Sequence, residues 1–197
     1  MKKFVGVGIV AALVSGCTTQ TRILSDAESK EMIAVVLDDN DFQVAASDML
    51  NDVVTRKFSG KNNGKPWQVY ITNVRNETMQ RINTADLTDY IENELINSGT
   101  VLTTRAFGDN KSVAIAESRE LVNSALVDKS TVKKNGTVKA YDYTLEGRIS
   151  QKDILVDGGK KIEYKFSLDL IDMDSGNKVW GNVKNITKFA DKKAQTW

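Results

Sequence analysis

The sequence predicts an α+β domain: a mixed β-sheet of about five strands, with helices packed on it and an antiparallel meander at the C-terminal end. Three observations carry this. Apolar residues recur at helical spacing after Asp41 and again after Thr84. Short β-branched and aromatic runs flank the second of these helices. From Tyr141 onward, apolar and polar residues alternate in long segments separated by Gly-containing turns.

The elements follow in order. Met32–Leu37 is apolar and reads as a short strand or a loop packed on the domain. The cluster Asp38, Asp39, Asn40 and Asp41 lacks the ligand spacing and glycine of a calcium loop. It reads as a helix start, where Asp and Asn satisfy free N–H groups. From Phe42 to about Phe58, an apolar face is formed by Phe42, Ala45, Ala46, Met49, Leu50, Val53 and Val54. Residues 59–66 contain Gly60, Gly64 and the single proline, Pro66, and read as a loop.

Trp67–Val74 reads as a buried strand. Thr84 is the expected cap of a second helix with an apolar stripe of Leu87, Tyr90, Ile91, Leu95 and Ile96. Ser98 and Gly99 stop it. The carboxylates Asp86, Asp89, Glu92 and Glu94 are expected on its solvated side. Thr100–Arg105 makes a second strand, completing a βαβ-like unit. A third helix is expected over 111–126, with Val113, Ala114, Ala116, Leu121, Val122 and Ala125 inward. Tyr141–Ile149, Lys161–Leu170 and Lys178–Ile186 form the meander. Gly158, Gly159, Ser175 and Gly176 supply its turns. One polar face along these strands means that helices cover the other.

The start of the chain is of a different kind. Lys2 and Lys3 precede an apolar run from Phe4 to Val14, followed by Ser15, Gly16 and Cys17. A basic end, a short apolar core and small residues before a cut make a secretory signal. The run is too short for a spanning helix, which takes about 20 apolar residues. Leu13-Val14-Ser15-Gly16-Cys17 resembles a lipobox, in which the cysteine is lipidated and becomes the mature N-terminus. Cys17 is the single cysteine of the sequence, so the fold is expected to hold without a disulfide. Residue 18 is Thr rather than Asp, which by resemblance to Gram-negative lipoproteins directs the chain to the outer membrane. The expected organisation is a signal peptide over 1–16, a lipidated N-terminus and short tether over 17–37, a globular domain over 38–190 and a C-terminal tail over 191–197.

Composition narrows the function. Loss of Lys2 and Lys3 takes the formal net charge from +1 to −1. That balance gives no electrostatic case for nucleic acid, which needs a basic face. The sequence has no histidine. This removes the commonest general base and metal ligand, and with them every Ser-His or Cys-His device. With Cys17 committed to lipid, no thiol remains. A binding protein without catalytic residues, cofactor or metal is the expectation.

Six stretches then resemble one family. These are Ala45–Val53, Val69–Thr78, Ile82–Arg105, Ser124–Asp128, Asp142–Ile149 and Leu170–Trp180, in that order over nearly all of residues 40–187. Together they resemble the LpoB family of outer-membrane lipoprotein activators. The resemblance implies a domain like the N-terminal domain of TolB, held by its lipid at the periplasmic face of the outer membrane. It implies a monomeric regulator that binds the accessory domain of a bifunctional class A penicillin-binding protein and stimulates peptidoglycan synthesis. The alternative is a lipoprotein related to the curli secretion channel that self-assembles at the outer membrane. Lys161, Lys165, Lys178 and Lys184 on the terminal strands favour a soluble sheet over a pore wall.

Relative to the best-known members, the tether is short. About 20 residues extend to at most roughly 65–70 Å, and average on the order of 25 Å unstretched. Aromatic anchors dominate protein interfaces, and Trp67, Tyr70, Tyr141, Tyr143, Trp180 and Trp197 are the candidates. Core burial is the expectation for the first five, so the sequence assigns no partner-binding residue. Asn76-Glu77-Thr78 and Asn185-Ile186-Thr187 match glycosylation acceptors and are read as unmodified.

Overall fold

The computed structural model describes residues 39–60, 62–109 and 111–191. Cys17, the Met32–Leu37 run, Asp38 and Trp197 lie outside these described residues.

Helix α1 spans Asp39–Lys57. Phe42, Ala45, Ala46, Met49, Leu50 and Val53 are all buried, as spacing by three and four requires. Asn40 and Asp41 belong to its first turn rather than preceding it. An acid there, with Arg56 and Lys57 in the last turn, complements the helix dipole. The 59–66 loop contains a tight turn closed by Lys65 N–H donating to the Asn62 carbonyl at 2.9 Å. Its central residues Asn63 and Gly64 have φ of 50° and 80°. Two successive positive φ values suit Asn-Gly and little else.

The expected strand over 67–74 ends at Ile71, and a separate short strand follows beyond 74. β1 spans Trp67–Ile71 and β2 spans Arg75–Glu77. Both run parallel to the same later strand, β4 (Tyr143–Val156). Ile71 pairs with Leu145 and Arg75 with Arg148, so this side has one residue more than its partner and the ladder is interrupted. β2 is short and exposed, so no apolar pattern marks it.

Helix α2 spans Thr84–Asn97, capped by Asn83 rather than by Thr84. Asn83 accepts from the Asp86 N–H, while the Thr84 carbonyl accepts from the Thr88 hydroxyl at 2.7 Å. The buried Thr88 oxygen in turn accepts from Val74 N–H at 3.1 Å, tying the helix to the β1–β2 junction. Leu87, Ile91 and Leu95 are buried as expected, whereas Ile96 is exposed. Gly99, at φ 72°, turns the chain into β3 (Val101–Thr103), which lies parallel to β1.

The third helix differs most from expectation. α3 covers only Val113–Glu120 and continues as a 3₁₀ turn over Leu121–Asn123. Neither piece contains a buried residue. The apolar spacing was real, but no layer of the fold covers it.

The meander is longer than the sequence indicates. β4, β5 (Gly159–Asp172) and β6 (Lys178–Asp191) have 14 residues each. Pairing is antiparallel from Tyr143↔Asp172 to Val156↔Gly159, and β6 follows β5 with one irregularity at Leu170/Ile171. The sheet order is β3-β1-β4-β5-β6, with β2 beside β4, giving six strands of mixed direction. Ile162, Tyr164, Phe166, Leu168 and Leu170 are buried on one face of β5. The core joins that face to α1 and α2, with Phe42 edge-on to Phe166 at 5.8 Å.

Polar contacts fasten α1 to β6. Asp41 pairs with Lys188 at 2.7 Å, Asp48 with Lys184 at 2.9 Å, and Asp52 accepts from the Trp180 indole at 2.8 Å. Lys161 and Lys178 also meet acids, Glu163 and Asp169. Among the described residues no helix is long and apolar enough to cross a membrane.

Candidate partner-binding surface

The six aromatic candidates separate by position. Trp180 is 8% exposed and belongs to the core. Trp67 and Tyr143 are half-buried, 5.4 Å apart, and both pack on Phe58. The Trp67 indole donates to the Gly60 carbonyl at 2.8 Å, so its polar edge is already used. These three secure α1 to the start of the sheet.

Tyr70 and Tyr141 stand elsewhere. Val69 and Ile71 point into the core, so strand alternation turns Tyr70 to the face without α1 and α2. Tyr141, just before β4, packs against Tyr70 with ring centroids 5.3 Å apart. Phe107 joins them, 5.9 Å from Tyr141 and 42% exposed. Phe107 lies in the connection from β3 to α3 and has no periodic neighbours, so spacing alone does not reveal it. Its signal in the sequence is an isolated aromatic beside a glycine.

That glycine is required. Gly108 has φ 72°, and a Cβ built there would sit 1.6 Å from the Tyr70 hydroxyl oxygen. The segment then turns into α3, with Ser112 N–H donating to the Arg105 carbonyl at 2.7 Å. Beyond it, Val113 is 64% and Leu126 96% exposed, and Leu121 and Val122 nearly half. Three aromatic rings thus meet on the face of the sheet without α1 and α2, and the apolar side chains that follow in the chain are exposed. Large exposed apolar patches of this kind mark interaction sites.

On the helix side of the sheet, charge fixes the chain that leaves β3. Arg105 pairs with Glu92 and with Asp89, the latter at 2.8 Å. Thr103 donates its hydroxyl to Glu92 at 2.6 Å. Glu92, and then Asp89, hold the Arg105 guanidinium above its ordinary pKa. Glu92 is only 12% exposed at its side chain, so the expectation of a wholly solvated acidic face fails there. Asp86 accepts from the Asn83 amide at 2.6 Å. Among the described residues no group of three or more acidic, Cys or His side chains is placed to hold a metal ion. Asn76 of the first glycosylation-like triplet is bound into a turn, donating to the Gln80 carbonyl at 2.8 Å.

Residues 41–186 match the family model described as the peptidoglycan-synthase activator LpoB. The chain belongs to the LpoB family. The family is regulatory rather than catalytic: its members activate a synthase that makes peptidoglycan. Among solved structures, the LpoB C-terminal domain from Salmonella enterica is similar at a TM-score of 0.46 and 14% identity, covering 74% of this chain and 98% of that chain. The NMR structure of Escherichia coli LpoB is similar at a TM-score of 0.40 and 12% identity, covering 96% of this chain and 85% of that chain. The PelC dodecamer from Paraburkholderia phytofirmans is similar at a TM-score of 0.34 and 14% identity, covering 63% of this chain and 74% of that chain. No curated protein matches the chain. The LpoB match spans α1 to the greater part of β6, and so includes the Tyr70–Phe107–Tyr141 surface.

Proposed function

We propose that this chain is exported, lipidated on Cys17 and held at the periplasmic face of the outer membrane, where it binds a bifunctional class A penicillin-binding protein and raises its activity. The observation that carries this reading is the LpoB match over 41–186, which takes in the greater part of the domain. The first contact is with the accessory domain of the synthase, and the Tyr70–Phe107–Tyr141 surface is its docking face. Rigid aromatic rings with partial exposure suit an anchor role.

The mechanism is a shift of conformational population in the synthase. An activator favours the active state only as far as it binds that state better than the inactive one. The domain need contribute no reacting group to do this. A sequence without histidine and with one cysteine, itself the lipid site, fits such a role.

The test is a pull-down of class A penicillin-binding proteins from the same cell with the purified chain, followed by lipid II polymerisation. Binding with faster polymerisation is the expected result. Failure to bind any of them overturns the reading.

A further inference from the structure

A cleft of about 340 Å³ lies between the tight turn after α1 and the segment that leads into β4. Asn62, Asn63, Lys65, Gln68, Lys139 and Asp142 line it. Two properties of its lining bear on what it holds. First, its polar side chains are uncommitted. Among the described residues, Asn62, Asn63, Lys65, Gln68 and Lys139 make no side-chain hydrogen bond or ion pair. Lys160, Lys161, Lys178, Lys184 and Lys188 each meet an acid, while Lys57, Lys111 and Lys165, like Lys65 and Lys139, have no salt bridge among the described residues. Second, the one carboxylate is taken. Asp142 accepts from the Gln68 backbone N–H at 2.9 Å and keeps its charge, so the lining holds two ammonium groups against one carboxylate.

We propose that this cleft binds a carboxylate-bearing oligosaccharide, with Lys65 and Lys139 pairing its acid groups and the amides of Asn62, Asn63 and Gln68 bonding its hydroxyl and acetamido groups. The chemistry favours sugar over a bare anion. An amide offers two donors and an acceptor, which sugar hydroxyls and acetamido groups match in both directions. An inorganic phosphate offers one or two O–H donors at most, fewer than the acceptors that line the cleft. Two lysines from separate segments suit acid groups spaced along a chain rather than gathered on one atom. The cleft volume is within the range of ordinary ligand sites, about 300–1,000 Å³. The choice of a peptidoglycan fragment as probe rests on the function proposed above. The uncommitted lysines and amides do not.

The experiment is calorimetric titration of the full chain in mild detergent with a peptide-free tetrasaccharide fragment of peptidoglycan, in which each N-acetylmuramic acid carries a free carboxylate. Inorganic phosphate and the neutral N-acetylglucosamine disaccharide are separate arms. The expected result is saturable binding of the fragment, weakened about three- to tenfold by the double variant Lys65→Gln and Lys139→Gln, as loss of two exposed charge contacts implies. Both lysines are exposed and without partners among the described residues, and an unchanged melting temperature checks that the variant is folded. Four results overturn the proposal: no binding of the fragment, equal binding of phosphate, equal binding of the neutral disaccharide, or equal binding by the double variant. The natural chain is also assayed for synthase capture. Capture without fragment binding defeats the cleft alone, and fragment binding without capture defeats the activator reading alone.

Discussion

The indole N–H of Trp180 donates to a carboxylate oxygen of Asp52 at 2.8 Å, joining β6 to α1 across 128 residues of sequence. Arg56 meets the other oxygen of the same carboxylate from one turn along the helix, at 2.6 Å. The bond from Trp180, and then that from Arg56, hold the Asp52 carboxyl below its ordinary value of 3.8. A carboxyl lowered on folding adds stability that is fully present above its unfolded value and disappears as pH falls through its folded value. The stability difference between the natural chain and Asp52→Asn is therefore expected to be constant at neutral pH and to shrink on the acid side of 3.8. Urea unfolding followed at both pH values checks it. A difference that does not change with pH defeats the assignment.

The α1–sheet contact gives a second expectation. Phe42 is 1% exposed and meets Phe166 edge-on, while Val44 on the same helix is 58% exposed. Phe42→Ala is expected to cost about 3–5 kcal/mol, the range for truncating a buried aromatic. Val44→Ala, which removes no core contact, is expected to stay within about 0.5 kcal/mol. Denaturant melts of the two variants decide it, and comparable losses would contradict the assigned helix face.

Much of this was legible in the sequence, for a physical reason. Where a segment buries one face, its period must match its geometry, so Phe42 to Val53 and Ile162 to Leu170 reveal both element and orientation. The same signal misleads at Val113, Leu121 and Val122, whose helical spacing suggests burial that no layer provides. It is silent at β2, where Arg75, Asn76 and Glu77 are held by backbone pairing to β4 and carry no apolar code. The partner surface was half legible. Tyr70 and Tyr141 were visible as aromatics, but their meeting depends on strand order, and Phe107 joins them through a connection that has no period. Pairing across large sequence separations, as in Asp52 with Trp180 or Lys65 with Lys139 at one cleft, is set by topology and leaves no local trace.

Gly108 offers a test of the surface that leaves the core alone. Its positive φ costs any other residue about 1–2 kcal/mol, and an added Cβ meets the Tyr70 hydroxyl. Gly108→Ala is expected to separate Phe107 and Tyr70, with altered near-ultraviolet circular dichroism and an unchanged far-ultraviolet spectrum. Synthase binding is expected to fall with it. Unaltered near-ultraviolet dichroism would show that Tyr70 is not packed as described.

Two exposed apolar side chains separate binding from folding more directly. Leu126 is 96% exposed, so Leu126→Ser removes little buried area, whereas Phe107, at 42%, gives up its packing on Tyr141. Leu126→Ser is expected to keep the melting temperature of the natural chain, and Phe107→Ser to lower it by a few degrees at most with an unchanged far-ultraviolet spectrum. If Phe107 is an anchor, its substitution weakens synthase capture at least about tenfold, the scale of a central interface residue. Equal capture by Phe107→Ser moves the docking face away from this side of the sheet.

The length of the leader yields the last expectation. The tether of about 20 residues can reach at most roughly 65–70 Å beyond the lipid, at about 3.3–3.6 Å per residue. Under the proposed lipidation, the concentration of the domain near its synthase is set by that reach. Inserting a polar segment of similar composition and about twice the length after residue 18 leaves every described residue untouched. Activation of the synthase by the purified variant is therefore expected to equal that of the natural chain. In cells, the variant is expected to rescue loss of the natural gene at least as well. Cys17→Ala is expected to abolish both palmitate labelling and recovery in the outer-membrane fraction. Rescue by Cys17→Ala at natural abundance would show that anchoring at Cys17 is not what brings the domain to its partner.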